Sequence, residues 1–69
     1  MRLRSRNVLS EYIQLLGESE RHFAARAGLG HATVNHLLTG RRETCSPATA
    51  AAIERALGCR PGLLFSPEF

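Results

Sequence analysis

The 69-residue sequence contains no lysine, no aspartate and no tryptophan, and all its acidic residues are glutamates. All nine basic residues are arginines, and the formal net charge is +3. Because a guanidinium binds a phosphate or a guanine edge with two hydrogen bonds at once, this balance favours an anionic partner. Genome base composition also accounts for an all-arginine usage, so the charge alone is weak support for such a partner.

Cysteine is scarce as well, with only Cys45 and Cys59. No Cys-x-x-Cys or His-x-x-x-His pair is present, and two cysteines make no disulfide framework. We therefore predict no metal, no cofactor and two reduced thiols in a cytoplasmic protein. No apolar run approaches the roughly 18 residues of a membrane span, and residues 1–4 lead into no apolar signal segment.

Catalytic patterns are also missing from the sequence. It contains no serine–histidine–acid arrangement, no pair of carboxylates and no phosphate-binding glycine loop, and a core this small leaves little room for a pocket. We predict that the protein is not an enzyme. The length fits one domain. Below about 70 to 80 residues a single hydrophobic core contributes only a few kcal/mol to the free energy of unfolding. The domain therefore needs well-packed helices or a binding partner.

The stretch from Ser19 to Gly40 predicts two short helices joined by a three-residue turn at residues 28–30. Ser19 is a favourable N-cap for the first helix, which runs to about residue 27. Gly28 suits the left-handed position that ends this helix, and Gly30 starts the second helix, which Gly40 ends. Apolar residues at helical spacing predict the buried faces, namely Phe23, Ala24, Ala27, Val34, Leu37 and Leu38.

The second of these helices has an outward face of small, amide and imidazole side chains. At about 100° per residue this face carries Ala32, Asn35, His36 and Thr39, and His31 projects from the helix start. Such side chains, with almost no acid among them, suit the reading of base edges. The alternative is a small helical bundle whose polar face is only solvated.

The glycines, core positions and outward polar positions together resemble the helix-turn-helix of the lambda-repressor-like (Cro/XRE) DNA-binding domain family. The resemblance continues through Ala56-Leu57-Gly58 and the closing Leu64-Phe65, and it covers roughly residues 7–66. It implies an all-α, compact five-helix domain with the helix-turn-helix at about residues 19–40. The matching positions within that motif are Phe23, Ala24, Gly28, Leu29, Val34, Leu37 and Gly40.

Around this motif the chain divides into a basic N-terminal arm at residues 1–6, the domain at residues 7–66 and a C-terminal tail at residues 67–69. We expect the arm to be disordered in the free protein and able to lie along DNA.

Three further helices complete the predicted domain. The first is capped by Asn7 and runs to residue 16, the fourth runs from a cap at Ser46 to about residue 57 with Pro47 at its first position, and a short fifth helix spans residues 61–65. The inward residues of the first helix are predicted to be Val8, Leu9, Tyr12, Ile13 and Leu16.

The resemblance implies that the second helix of the motif lies in the major groove of double-stranded DNA. Asn35 can pair with adenine through two hydrogen bonds, and Ala32 can contact a thymine methyl group. Together with His31 and His36 they form the expected base-contacting set. The expected phosphate contacts are Ser19, Arg21, His22, Thr33, Thr39, Arg41 and Arg42, with Arg2, Arg4 and Arg6 in the arm.

Two positions depart from the family pattern. Glu20 stands where glutamine is frequent, and because an acid beside a phosphate is unfavourable, the backbone contact of that position is in doubt. Leu38 stands where many members carry a glutamate paired with a basic residue of the first helix, so we expect an apolar contact in its place.

In related repressors the C-terminal end of the domain helps two copies pair. Leu63, Leu64, Phe65 and Phe69 are therefore expected dimer contacts, with a disordered tail as the alternative. A dimer would bind two half-sites about 34 to 36 Å apart. The predicted function is that of a small phage-type or bacterial transcriptional regulator, namely a repressor. The alternative is a protein-interaction module, such as an antitoxin or the partner subunit of a two-protein system, that uses the same end.

Overall fold

The structure is a computed structural model that describes residues 1–67. In this range the chain forms helices α1 (Arg6–Leu15), α2 (Glu20–Ala27), α3 (His31–Thr39) and α4 (Pro47–Leu57), with strands β1 (Arg2–Leu3) and β2 (Phe65–Ser66). The architecture is mostly helical, which agrees with the all-α prediction in part, but the described residues form four helices and not five and add a two-stranded sheet that was not predicted. None of these helices is long and apolar enough to cross a membrane.

A hydrophobic core lies between the four helices and the small sheet. α2 contacts both α3 and α4, and α1 contacts α3. One side of α3 is thereby packed inward, which leaves its opposite side to solvent. The core consists of Leu9, Ile13, Phe23, Ala24, Val34, Leu37, Ala50, Ile53, Leu64 and Phe65.

Serine hydroxyls start three of the helices, each by accepting a hydrogen bond from the backbone N–H three residues further on. The predicted caps at Ser19 and Ser46 are confirmed. α1 is capped by Ser5, whose extended backbone (φ −156°, ψ 119°) places its hydroxyl at the helix start. The predicted cap at Asn7 is therefore wrong, and α1 begins at Arg6.

The buried side of α1 is narrower than predicted. Leu9 and Ile13 are buried and Tyr12 is half-buried, but Val8 is 41% and Leu16 48% exposed. Because α1 packs mainly against α3, only one stripe of its surface faces the core.

Residues 61–65 do not form the predicted fifth helix. Gly62 has a φ of 89°, a left-handed conformation that interrupts a right-handed helix. Glu54 of α4, which is only 4% exposed, holds the resulting turn. Its Oε2 accepts hydrogen bonds from the backbone N–H groups of Gly62 (3.0 Å) and Leu64 (3.1 Å). The chain then continues into β2, which pairs antiparallel with β1.

The N-terminal residues are part of the fold. Met1 and Cys45 exchange two hydrogen bonds of 2.8 Å, and the Leu3 N–H donates to the Glu43 carbonyl at 2.9 Å. The side chains of Met1 and Leu3 also pack against the core. The expectation of a disordered arm at residues 1–6 is therefore wrong, because backbone pairing on both sides of β1 holds this segment.

Candidate nucleic-acid interface

α2, the turn at residues 28–30 and α3 form the arrangement predicted from the sequence. Gly28 adopts the left-handed conformation (φ 75°, ψ 27°) that ends α2. The Leu29 N–H donates to the Ala24 carbonyl at 2.8 Å, and the Leu29 side chain packs against the core. Gly30 then starts α3 without a side-chain cap. These contacts fix the turn and with it the direction of α3.

The solvent side of α3 carries the residues predicted to contact bases. Val34 and Leu37 point into the core, and Leu38 packs against it as expected for an apolar contact. The predicted base-contacting residues lie off this buried stripe, two of them exposed, His31 and Ala32, and two half-buried, Asn35 and His36.

Glu20, in the first turn of α2, lies against this face of α3. Its Oε1 accepts a hydrogen bond from Asn35 Nδ2 at 3.2 Å, and the same oxygen lies 3.9 Å from His31 Nε2. The side chains of Glu20 and His31 are each 42% exposed. Glu20 thus contacts two of the four predicted base-contacting residues.

His36 lines an open groove between α3 and the start of α4. Arg42 lines the same groove. Its backbone N–H donates to the His36 carbonyl at 3.1 Å, which connects the loop after α3 to the helix. The groove presents an imidazole, a guanidinium and several hydroxyl groups to solvent. The hydroxyl groups belong to Thr33, Thr44, Ser46 and Thr49.

Arg21, Arg41 and Arg42 are exposed arginines among the predicted phosphate contacts. Within residues 1–67 their side chains have no hydrogen bond or ion pair. Such a guanidinium keeps all five of its N–H donors for an outside acceptor. These residues are therefore well suited to bind phosphate oxygens.

The remaining predicted phosphate contacts, Ser19, His22, Thr33 and Thr39, are also exposed. The Ser19 hydroxyl accepts the His22 N–H and keeps its own hydrogen for a phosphate. Thr39 instead donates its hydroxyl hydrogen to the Asn35 carbonyl at 2.9 Å. It must rotate before it can donate to DNA.

Glu18 precedes the α2 cap and is neutralised by its neighbours. Arg26 donates from Nη2 and Nε to the two carboxylate oxygens at 2.7 and 2.9 Å, and His22 Nε2 lies 3.2 Å away. The hydrogen bond from Arg26 lowers the pKa of Glu18 below its usual value and raises the pKa of Arg26. The start of α2 therefore presents little unpaired negative charge from Glu18.

The arginines of the predicted arm are anchored to the domain. Each donates a hydrogen bond to a different element, so the three side chains are held at the surface. The bonds are Arg2 Nη1 to Glu43 Oε2 (3.0 Å), Arg4 Nε to the Gly62 carbonyl (3.1 Å) and Arg6 Nη1 to the Thr39 carbonyl (3.2 Å).

Together with Arg42, these arginines surround an open depression of about 390 Å³ beside the C-terminal end of α3. Glu43 is the acid in its lining. We call it the arginine depression. It places an excess of positive charge at the C-terminal end of α3.

The predicted dimer contacts do not lie together on the surface. Leu64 is 2% and Phe65 0% exposed, and both belong to the core. They are therefore wrong as dimer contacts, because nothing outside the domain can touch them. Leu63 is 44% exposed, and Phe69 lies outside the described residues.

Within residues 1–67 no three histidine, cysteine or glutamate side chains come together as a metal site. Both cysteines are free thiols. Burial raises the pKa of the Cys45 thiol, which keeps it protonated and poorly reactive.

Sequence reasoning missed the roles of Glu18, Glu54 and Arg6. The spacing of Glu18 and His22, four residues apart, was a weak indication of an ion pair. No sequence pattern indicated the role of Glu54, because its partners are backbone N–H groups eight and ten residues later. The bond from Arg6 to Thr39 joins residues 33 positions apart, beyond any local pattern.

A serine-capped helix, a glycine turn and a second helix with a polar outward face flanked by arginines define a helix-turn-helix DNA-binding domain. A family model described as Cro/C1-type HTH DNA-binding domain matches residues 6–69. The chain belongs to this family, and the resemblance predicted from the sequence is confirmed. Among curated proteins and solved structures no match was found. The family consists of DNA-binding regulators, and DNA is the partner of this domain.

Proposed function

We propose that the protein is a sequence-specific regulator that reads the major groove of double-stranded DNA with α3 and represses transcription, in the manner of small phage or bacterial repressors. The observation that carries the proposal is the exposed side of α3, which bears imidazole and amide groups and lies beside unpaired guanidinium groups. Imidazole and amide groups suit the hydrogen-bonding edges of bases, and guanidinium groups suit phosphates. A repressor of this type acts in the cytoplasm, where the DNA is.

Base reading would fall to His31, Ala32, Asn35 and His36. Asn35 offers a donor and an acceptor for adenine, and the exposed Ala32 methyl suits a thymine methyl. The imidazoles of His31 and His36 can donate to or accept from purine edges.

Phosphate binding would clamp α3 from two sides. On one side, Arg21 and the Ser19 hydroxyl lie at the start of α2, where free amides and the helix dipole favour an anion. On the other side, Arg41 and Arg42 follow α3. The arginine depression extends this second side, so Arg2, Arg4 and Arg6 would meet phosphates from a fixed surface and not as a free arm.

We further propose that two copies bind one operator, with Leu63 and Phe69 as the remaining candidates for the contact between them. The alternative, an interaction module, would use the same C-terminal end at residues 63–69, of which Leu64 and Phe65 are in the core and equally unavailable to a partner. We expect no catalytic activity.

The test is the selection of bound sequences from a random duplex pool, followed by salt titrations on the selected site and on a scrambled duplex. We expect a palindrome with half-sites one helical turn apart and an affinity far above that for the scrambled duplex. Equal affinity for both duplexes, with the same salt slope, would contradict sequence-specific reading. A selected site without a repeat would contradict the dimer.

A further inference from the structure

We infer that Glu20 is a positioning residue for Asn35 and commits this side chain to adenine in preference to guanine. The inference rests on the proposed role of α3 and names one base preference of that helix. It is carried by the bond from Asn35 Nδ2 to Glu20 Oε1, which joins the start of α2 to the middle of the exposed face of α3.

The carboxylate fixes which way the Asn35 amide faces. An ionised carboxylate has only acceptors, whereas an amide has a donor end and an acceptor end. The donor end, Nδ2, must therefore lie toward Glu20, and Oδ1 must lie away from it. His31 Nε2 lies 3.9 Å from the same Glu20 oxygen, so the carboxylate is placed between two side chains of α3.

A fixed amide discriminates between the two purines. Nδ2 has two hydrogens, and with one of them held by Glu20, the other remains beside Oδ1 as a donor and acceptor edge. Adenine offers N7 as an acceptor and N6 as a donor, which matches that edge. Guanine offers two acceptors, N7 and O6, so Oδ1 would face O6 without a hydrogen between them.

The position of Glu20 also has an opposing effect on affinity. A carboxylate in the first turn of α2 is favoured by the helix dipole, but it lies at the helix end that approaches phosphates in the proposed complex, where like charges repel. Glu20 therefore lowers the affinity for every duplex while it raises the discrimination between sequences. A residue that only stabilised the fold would not change these two quantities in opposite directions.

The experiment compares wild type, Glu20→Ala and Glu20→Gln on duplexes that differ only at the base pair where Asn35→Ala loses its preference. We expect wild type to favour adenine over guanine there by about tenfold or more, and Glu20→Ala by less than about threefold. Glu20→Gln should fall between them, because its amide can accept from Asn35 but can also turn and donate. Affinity for scrambled DNA should rise in both variants.

Glu11→Ala and Glu11→Gln are the matched controls, since Glu11 is an exposed glutamate on α1 without a hydrogen bond or ion pair among the described residues. They remove the same charge and should keep the wild-type base preference. Circular dichroism and urea unfolding verify that each variant is folded. If Glu20→Ala does not fold, Glu20→Gln is used for the comparison with wild type.

A double mutant separates direct from indirect action. In an Asn35→Ala background, Glu20→Gln should leave the adenine-to-guanine ratio unchanged, and a further change would overturn the inference. In the free protein, the side-chain amide signals of Asn35 should shift in Glu20→Gln but not in Glu11→Gln, and unshifted signals would overturn the contact itself. If Asn35→Ala loses the preference for adenine over guanine but Glu20→Ala keeps it, the inference is overturned and the proposed function is not. If wild type shows no preference at any base pair, the proposed function is overturned as well.

Discussion

Arg6 Nη1 donates a hydrogen bond to the Thr39 carbonyl at 3.2 Å, which joins the first residue of α1 to the last residue of α3. The last carbonyls of a helix have no intrahelical partner, so the guanidinium satisfies one of them and places positive charge at the negative end of the helix dipole. Gly40 follows α3 with a φ of 81°, and a Cβ there would overlap the Arg6 guanidinium. The end of α3 is thus fixed from the N-terminal segment.

Because of this contact, we predict that alanine lowers the free energy of unfolding more at Gly40 than at Gly17, although both glycines are left-handed. Gly17→Ala should lower the free energy of unfolding by about 1–2 kcal/mol from left-handed strain alone, because nothing lies within 4 Å of its new Cβ. Gly40→Ala should cost more, since it also displaces Arg6 from the end of α3, a contact of about 0.3–1 kcal/mol. Urea unfolding measures both changes. In an Arg6→Ala background the excess at Gly40 should disappear, and equal costs in the wild-type background would contradict the role of Arg6.

Glu54 is predicted to hold the C-terminal segment in place. Glu54→Ala leaves the buried N–H of Leu64 and the partly buried N–H of Gly62 without their acceptor, and we expect a loss of about 1–3 kcal/mol in the free energy of unfolding. Hydrogen exchange of these two amides gives the local readout, and both should lose protection. Glu11→Ala should leave them protected. Slow exchange at both amides in Glu54→Ala would show that another group holds the turn.

Sequence reasoning found the helix-turn-helix because its determinants are local. The Ser19 cap bonds three residues ahead, and Gly28 ends α2 through its own φ of 75°. Each of these contacts is visible in a window of a few residues, so the bounds of α2 and α3 follow from the residue types alone.

The two-stranded sheet and the contact between Glu20 and Asn35 could not be predicted in this way, because their residues are far apart in the sequence. Leu3 pairs with Phe65 across almost the whole chain, and strands of two residues have no periodic pattern to recognise. The sequence predicted that Asn35 contacts bases and put the phosphate contact of Glu20 in doubt, but it did not link these residues, which are 15 positions apart. Packing of α2 on α3 brings them together, so that Glu20 Oε1 accepts a hydrogen bond from Asn35 Nδ2.

The ion pair between Glu18, which precedes the α2 cap, and Arg26 in the last turn of α2 predicts a pH dependence of stability. The pKa of Glu18 is lowered from 4.5, first by the hydrogen bond from Arg26, so the unfolded state binds more protons than the folded state just below that pH. The contribution of Glu18 is therefore fully present above pH 4.5 and is lost as pH falls through the lowered pKa. Glu18→Gln lacks it at every pH.

The measurement is the urea midpoint of wild type and Glu18→Gln between pH 7 and pH 3. Wild type should be more stable at pH 7, and the difference should shrink below pH 4.5. Glu11→Gln is the control and should not reproduce this narrowing. A difference that stays constant down to pH 3 would assign the loss to packing and not to charge.

The arginines after α3 predict a loss of affinity that does not depend on sequence. Arg41→Ala and Arg42→Ala should each weaken binding to the selected site and to scrambled DNA by the same factor and reduce the salt slope by about one, because each removes one phosphate contact. Arg55→Ala removes an exposed arginine from α4 and should leave the slope unchanged. A loss confined to the selected site would instead assign the arginine to a base edge.

The proposed base contacts on the exposed face of α3 predict the opposite pattern, a loss of affinity that depends on sequence. Asn35→Ala and His31→Ala should each cost about 1–3 kcal/mol on the selected site and much less on scrambled DNA, because base contacts are lost while phosphate contacts remain. Asn7→Ala removes the same amide from an exposed position on α1 and should change neither affinity. Competition binding against the scrambled duplex measures the ratio for each variant. If Asn35→Ala weakens both duplexes equally, α3 does not read bases through this residue, and the groove-facing side of the domain must be sought elsewhere.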